Sequence, residues 1–140
     1  MKRYLLDTSL VAAFLHGRPT AMELMAPWVR NGQATTSILV YGEVIEYLKG
    51  LAAFRQYKTK LQHLFRLNQI TPYPLTYPIL ERYADIRRTL RPLRQEIGDI
   101  DTLIAATAVE HDLTLVTIDT DFDRVSHLNV DVVNLKKAAS

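Results

Sequence analysis

The sequence predicts one α/β domain in which a mostly parallel sheet is covered by helices on both faces. Short apolar runs of strand length alternate with longer segments whose apolar residues recur at three and four. The chain has 140 residues, of which 48% are hydrophobic, enough to bury the core of one domain. We find no internal repeat, low-complexity segment or linker, so we predict a single domain over residues 1–140.

The first part of the chain predicts two strands and two helices. Residues 4–6 form a short buried strand that ends at Asp7, and helical spacing follows from Leu10 to Leu15. A second helix is predicted from Thr20, as its N-cap, to Val29, and residues 34–37 form the second strand.

The middle of the chain predicts two more helices. A strong apolar stripe runs from Ser37 to Gly50 and carries Glu43. Residues 52–67 continue helically with one solvated face, and Asn68 is the predicted stop. Residues 70–74 are predicted to be extended, but their two prolines exclude both a helix and a central strand of the sheet.

The last part of the chain completes the alternation. A long helix is predicted from Ile79 to Leu93, interrupted near Pro92, and its C-terminal half is the most basic part of the sequence. The elements predicted after it are a helix capped by Asp99 or Asp101, a strand over 113–117, an acidic loop over 119–123 and a strand over 130–133.

Composition excludes several classes of site. The chain has no cysteine, so disulfides, thiolate zinc sites and cysteine nucleophiles are ruled out. The net charge of +2 is too small to indicate a partner by itself. The apolar run at the N-terminus is too short for a signal peptide, and no run reaches the length of a membrane span. We therefore expect a cytoplasmic protein without a membrane partner.

Carboxylates from four separate segments are predicted to meet at one edge of the sheet. Asp7 follows the first strand and Asp119 follows the strand over 113–117, so both lie at carboxyl ends of parallel strands. Asp101 lies near the start of the helix before that strand, and Glu43 lies early in the helix after the second strand. Clustered carboxylates repel one another, and a divalent cation relieves the repulsion. Oxygen ligands without cysteine or a histidine set favour Mg²⁺ or Mn²⁺, whose natural chemistry here is phosphodiester hydrolysis.

Four motifs in this order resemble the PIN domain, and in particular the VapC-type toxins, which are compact ribonucleases of bacterial toxin–antitoxin systems. The motifs are Asp7-Thr8-Ser9 after a strand, Glu43 within Tyr-Gly-Glu-Val, the run Gly98-Asp99-Ile100-Asp101-Thr102-Leu103-Ile104-Ala105-Ala106-Thr107-Ala108, and Thr117-Ile118-Asp119-Thr120-Asp121-Phe122. The resemblance covers Tyr4 to about Val133 and implies a three-layer PIN-like sandwich.

The resemblance also implies roles for individual residues. It assigns the acidic quartet to Asp7, Glu43, Asp101 and Asp119, with Asp121 as the alternative to Asp119 at the fourth position. It makes Asp99 an additional carboxylate at the metal, and it makes Thr8, Ser9 and Thr117 supporting hydroxyls that orient the carboxylates. The implied function is an endoribonuclease that uses Mg²⁺ or Mn²⁺ and is the toxin of a VapBC-type pair. The implied partners are RNA, a cognate antitoxin and a second copy of the chain, paired through the helices over residues 37–67.

Each signal also has an ordinary structural interpretation. Asp7 alone is typical of a helix N-cap, and Asp99 and Asp101 favour a helix N-terminus through its dipole. Asp119 and Asp121 are typical turn formers. A row of arginines on a helix is usually a solvated face, but in a nuclease the same residues, Arg87, Arg88, Arg91 and Arg94, would guide RNA phosphates.

Two other functions compete with the nuclease. One is a PIN-like adaptor that binds RNA or protein without cutting, which the complete acidic set disfavours. The other is a receiver-type phosphoacceptor domain, which also binds Mg²⁺ at strand-end aspartates. Such a domain requires an acidic pair near the end of the first strand and a lysine near the last strand, and the sequence offers neither.

Overall fold

A computed structural model describes residues 1–67 and 69–135, and its centre is a five-stranded parallel sheet. The strand order is β3-β2-β1-β4-β5, and every neighbouring pair runs parallel. The predicted parallel sheet is therefore confirmed. The strands are β1 (Tyr4–Leu6), β2 (Ala34–Ser37), β3 (Thr71–Tyr73), β4 (Thr114–Thr117) and β5 (Asn129–Val132).

Six α-helices occur in the described part of the chain, and they pack in two groups. The helices between β1 and β3 pack on one another, and α5 packs on α6. Because the chain returns from the β3 edge to β4, right-handed crossovers place these two groups on opposite faces of the sheet. The helices are α1 (Thr8–Leu15), α2 (Pro19–Arg30), α3 (Ile38–Lys49), α4 (Phe54–Arg66), α5 (Tyr77–Leu90) and α6 (Asp99–Glu110).

Two predicted helix caps are wrong. The helix α2 starts one residue earlier than predicted, because Pro19 occupies its first turn, where the missing N–H costs nothing. Thr20 instead donates its hydroxyl to the carbonyl of Leu135, at 3.0 Å. Likewise, Gly98 is the N-cap of α6, so Asp99 and Asp101 both lie inside its first turn.

The segment between α4 and α5 joins the sheet as its edge. Residues 71–73 pair with β2 on one side only, which accommodates Pro72 because an edge strand has one free side. Asn68, the predicted stop of α4, lies outside the described residues, and α4 ends at Arg66. The predicted acidic loop is a short 3₁₀ helix, Thr120–Arg124, with Asp119 as its N-cap.

The strand order reverses direction at the boundary between β1 and β4. The chain moves outward from β1 through β2 to β3, and then resumes on the other side of β1 with β4 and β5. In open parallel sheets this switch point is where ligands bind, at the carboxyl ends of the strands. The order also differs from the 2-1-3-4-5 order of receiver domains, which excludes the receiver-type alternative. None of the helices in the described ranges is both long and apolar enough to span a bilayer.

Candidate active site

The two strands that flank the switch point each end at an aspartate. Leu6 of β1 pairs with Val116 of β4, and both side chains are fully buried. The next residue of the first strand, Asp7, donates its backbone N–H to the carbonyl of Val116, at 3.1 Å. Asp119 follows β4 by two residues. The sheet therefore brings Asp7 and Asp119 to the same edge.

Asp7 is buried, with 8% of its surface exposed, and both carboxylate oxygens have donors. Its Oδ1 accepts the backbone N–H of Thr8 at 2.8 Å, which makes Asp7 the N-cap of α1. Its Oδ2 accepts the hydroxyl of Thr117 at 2.9 Å. Burial raises the pKa of the Asp7 carboxyl above 3.8 and the charges of Glu43 and Asp119 raise it further, while the two donors lower it. Asp7 therefore both caps α1 and lies at the candidate site.

Thr117 links the ends of β1 and β4. Its hydroxyl donates to Asp7 and accepts the backbone N–H of Asp119 at 3.1 Å, and its side chain is fully buried. Asp119 in turn accepts the N–H of Asp121 at 2.8 Å. One hydroxyl thus holds the carboxylate of Asp7 and the backbone of Asp119, which follow different strands.

Glu43 reaches the same edge from α3. Ser37 caps that helix by accepting the N–H of Leu39 at 3.1 Å, so α3 starts directly at the carboxyl end of β2. Glu43 is partly buried, and its Oε1 accepts the hydroxyl of Thr8 at 2.5 Å. Thr8 therefore serves both acids, Asp7 through its backbone and Glu43 through its side chain.

Among the carboxyl groups at this edge of the sheet, the one of Asp101 has the most strongly shifted pKa. Burial, followed by the charges of Asp7, Glu43, Asp119 and Asp121, raises its pKa from 3.8 to about 6. The rise occurs although Asp101 lies in the first turn of α6, where the helix dipole favours a negative charge. Like charges from three other segments therefore act on this half-buried group.

A cavity of about 680 Å³ contains all four members of the predicted quartet. Thr8 and Ser9, two of the three hydroxyl residues predicted to support the site, also line it. Ala12, Tyr47 and Ile118 line it as well and were not predicted. Tyr47 was detectable, because it lies four residues after Glu43 and therefore on the same face of α3. The remaining lining residues are Asp7, Glu43, Asp101 and Asp119.

Two predicted acids lie outside this cavity. Asp99 is held by the guanidinium of Arg87 and by the hydroxyl of Tyr83, the latter at 3.3 Å. Asp121 is exposed and pairs with Arg124 at 3.3 Å. The structure therefore brings Asp119, and not Asp121, to the cavity, and it places Asp99 on the side of α6 that faces α5.

The oxygen atoms that line the cavity are of the type that binds a hard divalent cation. Their present arrangement, however, does not enclose a cation. The polar atoms of the cavity are carboxylate and hydroxyl oxygens, the donors that Mg²⁺ and Mn²⁺ prefer. The hydroxyl of Ser9 is buried without a hydrogen-bond partner. Within residues 1–67 and 69–135, no three acidic or histidine side chains are arranged to hold a metal ion as they stand. Binding of a cation would therefore require some of the four carboxylates to move closer together.

The four arginines predicted to guide RNA lie at the end of α5 and just after it. Arg87 is partly buried against Asp99, whereas Arg88, Arg91 and Arg94 are exposed. Arg87, Arg88 and Arg91 line another, smaller cavity.

Comparisons with known proteins agree on one family. The family described as PIN domain matches residues 4–128. Ribonuclease VapC1 of Rickettsia felis is 30% identical over 137 residues, which covers 94% of this chain and 97% of that protein. Toxin FitB of Neisseria gonorrhoeae is 33% identical over 123 residues, covering 83% and 87% of the two chains. The crystal structure of DNA-bound VapBC from Salmonella typhimurium superposes with a TM-score of 0.80 at 16% identity, over 94% of this chain and 98% of that chain.

Proposed function

The chain belongs to the PIN domain family, and from this premise we propose that it is an endoribonuclease that depends on Mg²⁺ or Mn²⁺. The observation that carries the proposal is the cavity at the switch point, into which four separate segments bring Asp7, Glu43, Asp101 and Asp119. The relative named Ribonuclease VapC1 supports the ribonuclease activity. The cation is our own inference from the oxygen donors and from their mutual repulsion.

The four carboxylates differ in the part they would play. Asp7 is fixed by two donors and is the rigid member of the set. Glu43 and Asp101 are partly exposed, so they would complete the site when a cation binds. Asp119 is held in place through Thr117 and is the fourth acid. When bound, a divalent cation polarises the phosphoryl group, lowers the pKa of water and neutralises the leaving oxygen.

The protein would contribute positioning and electrostatics. The acidic cavity repels a free phosphate, so the scissile phosphate would enter it only once the negative charge has been neutralised. Tyr47, at the cavity wall, presents a hydroxyl that is hydrogen-bonded to His16 Nε2 at 2.7 Å. Its ring offers a surface on which a base beside the scissile phosphate could stack.

An RNA cleavage assay tests this proposal. Wild-type protein should cut RNA with Mg²⁺ or Mn²⁺ and should stop in EDTA, and Asp7→Asn and Asp101→Asn should each be inactive. Asp131→Asn, an exposed acid on β5, is the matched control and should cut normally. Cleavage that persists in both site variants would point to contamination or to another site.

The same premise leads us to propose a toxin role. The relative named Toxin FitB supports it, and an antitoxin that covers or distorts the acidic cavity would be the resting partner. Induced expression in the bacterial cytoplasm should arrest growth, whereas Asp7→Asn at equal soluble level should not. Normal growth with abundant soluble wild-type protein would contradict the toxin role.

We also propose that residues 1–140 form one domain that pairs as a homodimer through the helices over residues 37–67. Apolar side chains that remain exposed or partly exposed on α3 and directly after α4, such as Ile38, Tyr41 and Leu67, support the pairing surface. Light scattering of the purified chain measures the mass directly.

The competing adaptor function predicts RNA or protein binding without cleavage under any cation, so the cleavage assay separates the adaptor from the nuclease.

A further inference from the structure

A groove rich in arginine lies on the opposite side of the first turn of α6 from the acidic cavity. It has a volume of about 420 Å³, and we call it the arginine groove. It is lined by Tyr83, Ala84, Arg87, Arg88, Arg91 and Pro92.

The arginines of this groove differ in their pairing. Arg87 forms an ion pair with Asp99, and its guanidinium also lies over the ring of Tyr83, at 5.6 Å from the centroid. Arg88 and Arg91 are exposed, and neither has an acidic partner among the described residues. The groove therefore contains one neutralised arginine and two uncompensated positive charges.

These two charges work against the stability of the helix end. Arg88 and Arg91 are three residues apart, so their side chains are neighbours, and like charges at this spacing destabilise a helix. The negative end of the helix dipole offsets part of this cost. Elsewhere on α5 the chain does supply a partner, since Arg82 pairs with Glu110 at 3.1 Å. An anion from outside the chain would compensate Arg88 and Arg91.

The arginine groove is joined to the acidic cavity through α6. Asp99, which Arg87 holds, and Asp101, which lines the cavity, are two residues apart on one helix. Side chains at this spacing point to nearly opposite sides of a helix about 10 Å across. A strand that crossed the first turn of α6 would therefore reach from the cavity to the groove within a few nucleotides.

We infer that the arginine groove holds the phosphate backbone of the RNA strand beside the cleavage point, with Arg88 and Arg91 as the contacts. Arg87 is then a positioning residue, which ties α5 to the first turn of α6 and shapes the groove. This inference rests on the proposed ribonuclease function for the identity of the anion. Tyr83 adds an aromatic ring at the groove wall, a combination with arginine that suits single-stranded nucleic acid.

The test measures RNA binding apart from cleavage. Full-length wild type and the double variant Arg88→Ala/Arg91→Ala are titrated onto a fluorescent single-stranded RNA in EDTA, over a series of salt concentrations. The variant should bind about tenfold more weakly at low salt. Two lost phosphate contacts should also reduce the slope of log affinity against log salt by about 1.4. The control Arg18→Ala/Arg30→Ala removes two exposed arginines at the two ends of α2 and should leave both quantities unchanged.

Cleavage kinetics extend the test to the position of the groove. With a long RNA the double variant should raise KM and leave kcat unchanged, because the groove holds phosphates a few nucleotides away from the one that reacts. With an RNA too short to pass α6, wild type and variant should have equal KM. Shortening the RNA from its 5′ end and from its 3′ end in turn identifies the side that the groove holds.

Several results would overturn the inference. They are equal RNA affinity and salt slope in wild type and double variant, no RNA binding by either, or an equal loss in the α2 control. A double variant that binds RNA normally but no longer binds an acidic peptide would assign the groove to a protein partner. RNA that is bound through the groove but never cut would instead refute the ribonuclease proposal and leave the groove assignment intact.

Discussion

Replacing Asp101 with Asn should stabilise the protein when divalent cations are absent and should remove one of the proposed ligands. The pKa of Asp101 rises to about 6 because of burial and because Asp7, Glu43 and Asp119 carry the same charge. The folded protein therefore holds this proton more tightly than the unfolded chain does. The stabilisation that comes with the proton is fully present below about pH 4 and is lost as the pH rises through about 6.

The size of the effect follows from that pKa. The difference between 3.8 and about 6 corresponds to an upper limit of about 3 kcal/mol. Asp101 is only half-buried, so solvent screening reduces the expected gain to about 1 kcal/mol. In a domain of this size, about 1 kcal/mol raises the melting temperature by about 3 °C. Asparagine resembles the protonated acid, so the gain should appear at pH 8 and vanish near pH 4.

Thermal unfolding in EDTA at pH 8, 6 and 4 measures this difference. Mg²⁺ or Mn²⁺ should then raise the melting temperature of the wild type more than that of Asp101→Asn, because a cation that binds the folded state more tightly stabilises it more at the same concentration. Asp131→Asn removes an exposed carboxylate from β5 and serves as the control at each pH. The electrostatic reasoning is refuted if Asp101→Asn melts at or below the wild type in EDTA at pH 8, while the control is normal. An equal gain from cation in both proteins would refute the assignment of Asp101 as a ligand.

Three further predictions concern the support of the site. Thr117→Val keeps the shape of a buried side chain but removes the donor to Asp7, so it should cost about 1–2 kcal/mol in urea unfolding and weaken cation affinity about tenfold or more, measured by calorimetry. Thr107→Val, whose hydroxyl bonds within α6, is its control and should lose stability without any change in cation affinity. Ser9→Ala removes a buried hydroxyl without a partner, so it should leave stability in EDTA unchanged or higher, and a loss above about 1 kcal/mol would contradict this. Cation affinity of the wild type should fall as the pH drops below about 6, because protons compete at Asp101, and pH-independent affinity would argue against that competition.

The sequence was most informative where one physical pattern determined a residue's place. The alternation of strands and helices predicted the parallel sheet, and a parallel sheet brings Asp7 and Asp119 to the same edge. Glu43 was predicted at this edge because it lies within the first two turns of the helix that follows β2. These predictions depended on chain order and periodicity, both of which are visible in the sequence.

Choices between neighbouring residues depended on contacts that the sequence does not display. Asp99 and Asp101 have the same side chain and lie two residues apart, but only one face of α6 is turned to the cavity. Two features decide which of the two acids faces the cavity. Gly98 caps the helix, and Arg87, on another helix, forms an ion pair with Asp99. The prediction that Thr20 caps α2 was wrong for a similar reason, because the hydroxyl of Thr20 donates to the carbonyl of Leu135.

The acidic cavity shows how a fold can keep repelling charges close together before any cation binds. Asp7, the most buried acid, receives two donors from the ends of neighbouring strands, so its charge is compensated inside the protein. Glu43 receives one donor, and Asp101, the half-exposed acid, has a pKa of about 6. The number of hydrogen-bond donors that compensate each negative charge thus decreases from the sheet edge towards solvent. A bound divalent cation would therefore stabilise the charges of the outer acids most. If the proposed cation site is correct, its fixed ligand would come from a strand end and its adjustable ligands from helices.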